Sequence, residues 1–251
     1  MIELKELVAY LDALLEAPRF QDYAPNGLQV EGRTRIGKMV GGVTASLALL
    51  DEAIESGADA ILVHHGYFWR GENPCVVGMK SRRLKALLRN DVSLLAYHLP
   101  LDAHPTLGNN AALATLLELS VEGRMGSGVV PIGMYGRLPC SMDGAELSVY
   151  IESRLGHSVL HIPGGTNSVR TIGWCTGAAQ SYIDDAVKLG LDAFLTGEAS
   201  EQTVHIARES AIHFFAAGHH ATERGGVQSV LAHLTEKYSI ETQFIDIANP
   251  V

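Results

Sequence analysis

From Ile36 to Val43, and again from Ala60 to Val63, the chain runs apolar, and between them Leu47, Leu50, Ala53 and Ile54 recur at helical spacing. A strand, a helix and a strand in that order predict a crossover unit, and a crossover predicts a parallel sheet covered on both faces. Thr44-Ala45-Ser46 supplies a cap for the helix, and Gly57 ends it. The second strand does not close in ordinary turn residues. It closes in His64-His65-Gly66, at the carboxyl end of a strand, where open α/β sheets gather their ligands.

The pattern then recurs. Gly41-Gly42-Val43-Thr44 matches Gly173-Trp174-Cys175-Thr176 at an offset of 132. Leu50-Asp51-Glu52-Ala53 matches Ile183-Asp184-Asp185-Ala186, and Gly57-Ala58-Asp59-Ala60-Ile61-Leu62 matches Gly190-Leu191-Asp192-Ala193-Phe194-Leu195, both at 133. Leu94-Leu95-Ala96 matches Phe214-Phe215-Ala216 at 120. The segments keep one order in both halves, which predicts an α/β fold of two similar lobes related by internal duplication. The expected division is residues 1–125 for the first lobe and 126–251 for a connector and the second lobe. In this alignment His64-His65 falls on Gly197-Glu198, and the segment from His98 to Asp102 on Gly218 to Glu223. Lobes packed face to face bring all these strand ends into one cleft.

Around this frame, Leu4, Leu7, Leu11, Leu14 and Leu15 predict a helix over 3–16, and residues 22–29 read as a turn-rich loop. Lys80 to Leu88 reads as a helix, Val92 to Tyr97 as a strand, His98 to Pro105 as a loop, and Ala111 to Leu119 as a helix. Residues 120–165, rich in Gly and Pro, read as a connector with one helix near 147–155. The 251 residues can bury a substantial core. A formal charge of −9 argues against a phosphate-backbone binder, which needs a basic stripe. Three scattered cysteines, Cys75, Cys140 and Cys175, make neither a disulfide framework nor a thiolate zinc site, and the expected location is cytoplasmic. No apolar run reaches the roughly 18 residues of a membrane span.

The site candidates are hard and borderline donors. Imidazole suits zinc, iron, nickel and copper, while carboxylates add manganese and magnesium and can bridge two ions. His64 and His65 point to opposite faces of a regular strand, so both can serve one site only where the strand ends and the chain turns at Gly66. Asp102 follows His98 by four residues across Pro100. His219 and Glu223 also stand four apart, sharing a face if the chain is helical from Ala221. Each has a structural reading beside the chemical one: Asp102 can cap the turn before Pro105, and Glu223 can pair with Arg224. Glu198 can be a first-turn acid, an orienting partner or a general acid-base. His98 and His220 can orient substrate or a ligand carboxylate. Tyr67, Phe68 and Trp69 can stack on a base or pack at a subunit interface, and Cys175 reads as a small buried hydrophobe. No phosphate loop, dinucleotide fingerprint or nucleophile elbow is present.

Val63-His64-His65-Gly66, His98-Leu99-Pro100-Leu101-Asp102, Thr196-Gly197-Glu198 and Gly218-His219-His220-Ala221-Thr222-Glu223 resemble the motifs of the Nif-three-like dinuclear metal family, also known as GTP cyclohydrolase I type 2 homologues. The likeness runs from Asn26-Gly27-Leu28-Gln29 to the carboxyl terminus and is closest to the short bacterial members. It implies two α/β lobes with two divalent ions (Fe, Mn or Zn) between them, and a toroidal homohexamer. Carried over, the metal ligands are His64, His65, Asp102, His219 and Glu223, with Glu223 bridging; no departure occurs at any of the five. The family label implies opening of the imidazole ring of GTP with release of formate, hence a metal-dependent hydrolase of nucleotide-like substrates. The proton-transfer or orienting candidates are His98, Glu198 and His220. The alternative is a non-catalytic metal-binding scaffold that forms a ring; a nucleic-acid partner fits poorly with the charge.

Overall fold

A computed structural model describes residues 1–128, 130–165 and 168–251. The chain forms two compact units, Met1–Leu107 with Gly226–Ala248, and Gly108–Gly225 with Asn249–Val251.

In the first unit a five-stranded sheet has the order Glu241–Phe244, Lys38–Thr44, Ala60–His65, Ser93–Ala96, Gly27–Val30. The first four strands are parallel and Gly27–Val30 runs antiparallel at the edge. The continuous apolar run of the central strand follows from burial on both faces. Ala60 and Leu62 pack with Leu7 and Leu11 of the Leu4–Leu14 helix and with Val230 and Leu234 of the Arg224–Tyr238 helix. Ile61 and Val63 pack with Leu49, Leu50 and Ala53 of the Leu47–Glu55 helix and with Leu84 and Leu87 of the Gly78–Asn90 helix. Ser46 caps the Leu47–Glu55 helix, its Oγ accepting from the Leu49 N–H at 3.2 Å.

The second unit holds a six-stranded sheet, Ser120–Met125, Gly133–Met142, Val169–Trp174, Ala193–Thr196, His213–Ala216, Leu160–Ile162. Val169–Trp174, Ala193–Thr196 and His213–Ala216 are parallel, and their outer neighbours are antiparallel. Trp174, Leu195 and Phe215 lie in one core and Phe194 and Phe214 in the other.

The parallel strands of both units repeat one register. Val40 faces Ile61 as Gly173 faces Phe194, and Ile61 faces Leu94 as Phe194 faces Phe214, so numbers differ by 133 on two strands and 120 on the third. A side-chain clamp repeats as well. Asp59 accepts the Gly37 and Lys38 N–H groups at 2.7 and 2.9 Å, and Asp192 accepts those of Arg170 and Thr171 at 3.0 and 2.8 Å. Each carboxylate ties the residue before one strand to the start of its neighbour. Burial raises both carboxyl groups, but these bonds outweigh it and hold Asp59 and Asp192 below the ordinary carboxylate value.

Several sequence expectations change here. The boundary does not fall at 125/126: residues 226–248 belong to the first unit, because Glu241–Phe244 pairs with Lys38–Thr44, and 108–125 belong to the second. Residues 120–165 are not a connector. They contain the Ser120–Met125 and Gly133–Met142 hairpin, the Gly144–Leu155 helix with its Asp143/Glu146 capping box, and the Leu160–Ile162 edge strand. The offset of 132 slips by one residue, since the register sets Gly173 beside Val40 rather than Gly41. Residues 22–29 are not wholly loop, because Gly27–Val30 is a strand. Asp102 is not loop-borne: it lies on the Leu99–Ala103 helix, which starts at the strand end with Pro100 in its first turn, where a missing N–H costs nothing.

Candidate metal centre

Within the first unit the sheet delivers three imidazoles to one place. His64 and His65 end the Ala60–His65 strand, and His98 follows the Ser93–Ala96 strand beside it. Ring centroids are 4.5 Å apart for His64 and His65, 5.0 Å for His64 and His98, and 5.7 Å for His65 and His98. One ring nitrogen from each lies within 4.8 Å of the other two. The two strand-end histidines, which alternation sends to opposite faces, therefore converge. Gly66 permits the turn: a Cβ there would lie 2.2 Å from Gln29 Oε1 and 2.6 Å from the Ala96 Cβ. Gln29 fixes the turn by accepting the Tyr67 N–H at 2.7 Å and donating to the Tyr67 carbonyl at 3.1 Å.

Every ring is oriented through Nδ1. His64, fully buried, sets Nδ1 3.0 Å from the Tyr97 carbonyl oxygen. His65 Nδ1 lies 3.1 Å from Thr44 Oγ1, and His98 Nδ1 lies 2.7 Å from Asp22 Oδ1. A carbonyl or carboxylate accepts only, so His64 and His98 donate from Nδ1 and keep the Nε2 lone pair, the arrangement by which outer partners aim histidine at a metal. The buried Asp102 carboxylate adds a hard oxygen, its Oδ1 3.5 Å from His64 Nε2.

The second unit gathers its own donors at equivalent strand ends. His219 opens the His219–Thr222 helix after His213–Ala216, and the helix brings Glu223 back beneath it, with Glu223 Oε2 3.2 Å from His219 Nε2. The helix thus begins at His219, not Ala221. His219 Nδ1 lies 2.6 Å from Glu198 Oε1, so Glu198, at the register position of His65, orients His219 as Asp22 orients His98. Burial lowers the His219 pKa, but Glu223 and Glu198 outweigh it and raise the pKa to about 9. Glu223 is buried, and Gly177 makes room for it. A Cβ on Gly177, whose φ is +70°, would lie 2.1 Å from Glu223 Oε1 and 3.1 Å from His219 Nε2.

The remaining candidates are placed differently. His220 is half-buried, donates its backbone N–H to the Val251 carbonyl at 3.0 Å, and joins no group of three metal-competent donors among the described residues. Tyr67 is not a stacking residue: it is buried, with its hydroxyl donating to the Ala45 carbonyl at 2.7 Å. Phe68 lies under Lys80, 5.1 Å away. Trp69 stands edge-on to His98 with centroids 5.1 Å apart, its Nε1–H on the Gly66 carbonyl. Cys175 is buried, as expected. Missed from the sequence were Asp22, Asn26 and Gln29, which hold both histidine segments from one loop and strand. The start of the family likeness at Asn26-Gly27-Leu28-Gln29 was the available signal.

Imidazoles aimed through Nδ1 beside buried carboxylates form a donor set that fits divalent cations between zinc and manganese in character. The chain matches Duf34/NIF3 (NGG1p interacting factor 3) over residues 2–250. It belongs to this family. A relative from Pseudomonas aeruginosa, named GTP cyclohydrolase 1 type 2 homolog, is 56% identical over 250 residues, covering 99% of each chain. Among solved structures, protein ybgI, described as of unknown function, is 52% identical with a TM-score of 0.97 over 100% of both chains. TTHA1606 from Thermus thermophilus is 34% identical with a TM-score of 0.90, again over 100% of both. The sequence resemblance is thereby established at the level of family and α/β fold. No helix among the described residues is long and apolar enough to cross a membrane.

Proposed function

We propose that this member of the Duf34/NIF3 family binds two divalent ions through His64, His65, Asp102, His219 and Glu223, with Glu223 bridging, and hydrolyses a nucleotide-like substrate. The observation that carries the reading is the commitment of Nδ1 on His64 and His219 to oxygen partners at 3.0 and 2.6 Å, which directs Nε2 toward the donor cluster in each unit. The relative's name, GTP cyclohydrolase 1 type 2 homolog, adds support for a purine nucleotide. Iron, manganese and zinc all suit the donors. The repeated register and the Asp59/Asp192 clamps support descent of both units from one duplicated α/β unit.

Bound ions would supply Lewis acidity, polarising a water or a substrate oxygen. The protein's own residues then have separable tasks. Asp102 and Glu223, both buried, supply negative charge that offsets that of the cations. Glu198 fixes the His219 tautomer, and His98, Glu198 and His220 are the groups available to orient substrate or move protons. Trp69, edge-on to His98, gives the site an apolar wall. The exposed run Val76, Val77 and Met79, at 53, 64 and 57% exposure, suits burial between subunits of a homohexamer. The exposed free thiols of Cys75 and Cys140 suit a reducing cytoplasm.

Turnover of GTP and of 4-nitrophenyl phosphoesters by protein loaded with Fe, Mn or Zn tests the catalytic part. Formate or nitrophenol released by the parent and lost in Asp102→Ala supports it. Tight metal retention with no product from any of them identifies a metal-binding scaffold instead.

A further inference from the structure

The loop from Asp22 to Asn26 has a density of contacts that a connecting turn does not need. Asp22 has a side chain only 2% exposed, and its carboxylate receives four donors. Oδ1 takes His98 Nδ1 at 2.7 Å and the Tyr23 N–H at 2.6 Å; Oδ2 takes Asn26 Nδ2 and the Leu99 N–H, both at 2.9 Å. Asn26 in turn accepts the His98 backbone N–H through Oδ1 at 2.8 Å. His98 is therefore gripped at its backbone by Asn26, at its ring by Asp22, and through the next peptide by Asp22 again. Arg70 ties the loop down by donating its backbone N–H to the Tyr23 carbonyl and its Nη2 to the Asp22 carbonyl.

This grip has a chemical consequence. A carboxylate cannot donate, so the ring must place its proton on Nδ1 and present the Nε2 lone pair. Burial raises the Asp22 carboxyl, but its bonds to His98, Asn26 and Leu99 outweigh that and hold it below the ordinary carboxylate value, so it is ionised at neutral pH. The ring also differs from its neighbour: the His98 side chain is 18% exposed, whereas that of His64 is fully buried. With His64, His65 and Asp102 supplying the metal donors, His98 is a partly exposed imidazole left to meet substrate or water.

We infer that Asp22 is a positioning residue that locks His98 in the Nδ1–H tautomer, making His98 Nε2 the proton acceptor beside His64 and His65. The inference rests on the metal-site reading above and assigns His98 to proton transfer rather than to the ions.

The test is magic-angle-spinning NMR of full-length protein labelled with nitrogen-15 histidine, His98 being assigned by its loss in His98→Gln. Metal-free parent should show one His98 tautomer, Nδ1 protonated and Nε2 bare. Asp22→Ala, and the isosteric Asp22→Asn in case alanine impairs folding, should convert it to mixed tautomers or to Nε2–H, with the His161 and His213 signals of the second unit unchanged as the check on fold. Added zinc should move the Nε2 signals of His64 and His65 and leave that of His98 in place. An unchanged tautomer in both Asp22 variants, or Nε2–H in the parent, overturns the positioning role. Zinc shifting His98 Nε2 as far as His64 Nε2 overturns the proton-acceptor role by making His98 a ligand. If zinc moves none of the three, the metal-site reading fails and the proton-acceptor role with it, while the tautomer comparison still decides whether Asp22 positions His98.

Discussion

Gly177→Ala is the sharpest mutational test of the Glu223 assignment. The added methyl would lie 2.1 Å from Glu223 Oε1, and real Cβ contacts stay beyond 3.0 Å, so something must move by about 1 Å. The backbone is poorly placed to yield. Gly177 N–H donates to Thr222 Oγ1 at 3.1 Å, and its carbonyl accepts from Thr196 Oγ1 and the Gly197 N–H, both at 2.9 Å. The carboxylate of Glu223 therefore gives way. Metal–ligand distances tolerate only about 0.2 Å, so a shift of this size removes the bond, and a fall in zinc affinity of at least about 10- to 100-fold is expected. The left-handed conformation adds about 1–2 kcal/mol of strain for any side chain, or roughly 2–8 °C in melting temperature for a chain of this size. Gly190→Ala is the matched control, since Gly190 has φ +68° and nothing within 4 Å of its Cβ position. Calorimetry in chelator should show both variants destabilised. Zinc competition against a chromophoric chelator should separate them, Gly190→Ala binding like the parent and Gly177→Ala weakly. Equal affinity in the two variants would refute the reasoning.

Other consequences are as direct. Asp102→Ala and Glu223→Ala should each remove metal and turnover together, read by elemental analysis beside product formation; substantial metal-free turnover would contradict the hydrolase mechanism. Asp192→Asn should cost about 1.5–3 kcal/mol at pH 7, the scale of hydrogen bonds to a charged acceptor. Because the folded-state value of Asp192 is depressed, this stability is present above the ordinary 3.8 and lost as pH falls through the depressed value, so the variant's acid-unfolding curve should flatten there. His161 Nε2 lies 3.0 Å from His213 Nδ1, and burial and His213 lower the His161 pKa below 6.5 against the opposing charge of Asp143. The unfolded chain then binds more protons, so stability should fall as pH drops below about 6.5, and His161→Gln should reduce that slope in urea titrations between pH 5 and 7.

The parts of this molecule legible in its sequence are those where one physical signal dominates. The crossover unit from Lys38 to His65 is readable because a strand buried on both faces must be apolar throughout, and its helix carries a matching stripe. The five ligand candidates were legible through their positions at strand ends and through the family motifs. The Gly133–Met142 strand was not: Gly133, Gly136 and Pro139 break its pattern, and its place at the sheet depends on pairing with residues 120–125 and 169–174. The Glu241–Phe244 strand was missed for a related reason, as it pairs with Lys38–Thr44 some 200 residues earlier. Asp22 and Asn26 stood in a turn-rich stretch where such residues are expected for local reasons alone. Only the fold carries them to His98, 72 to 76 residues away in sequence.

The central claim is that this chain holds two divalent ions on His64, His65, Asp102, His219 and Glu223. Protein purified without chelator and analysed by plasma mass spectrometry tests it in one measurement. The parent should carry close to two ions of iron, manganese or zinc per chain, and Glu223→Ala, which removes the carboxylate proposed to serve both ions, should show a sharp fall. A parent with no bound transition metal after reconstitution, or a Glu223→Ala protein that retains the parent's content, contradicts it.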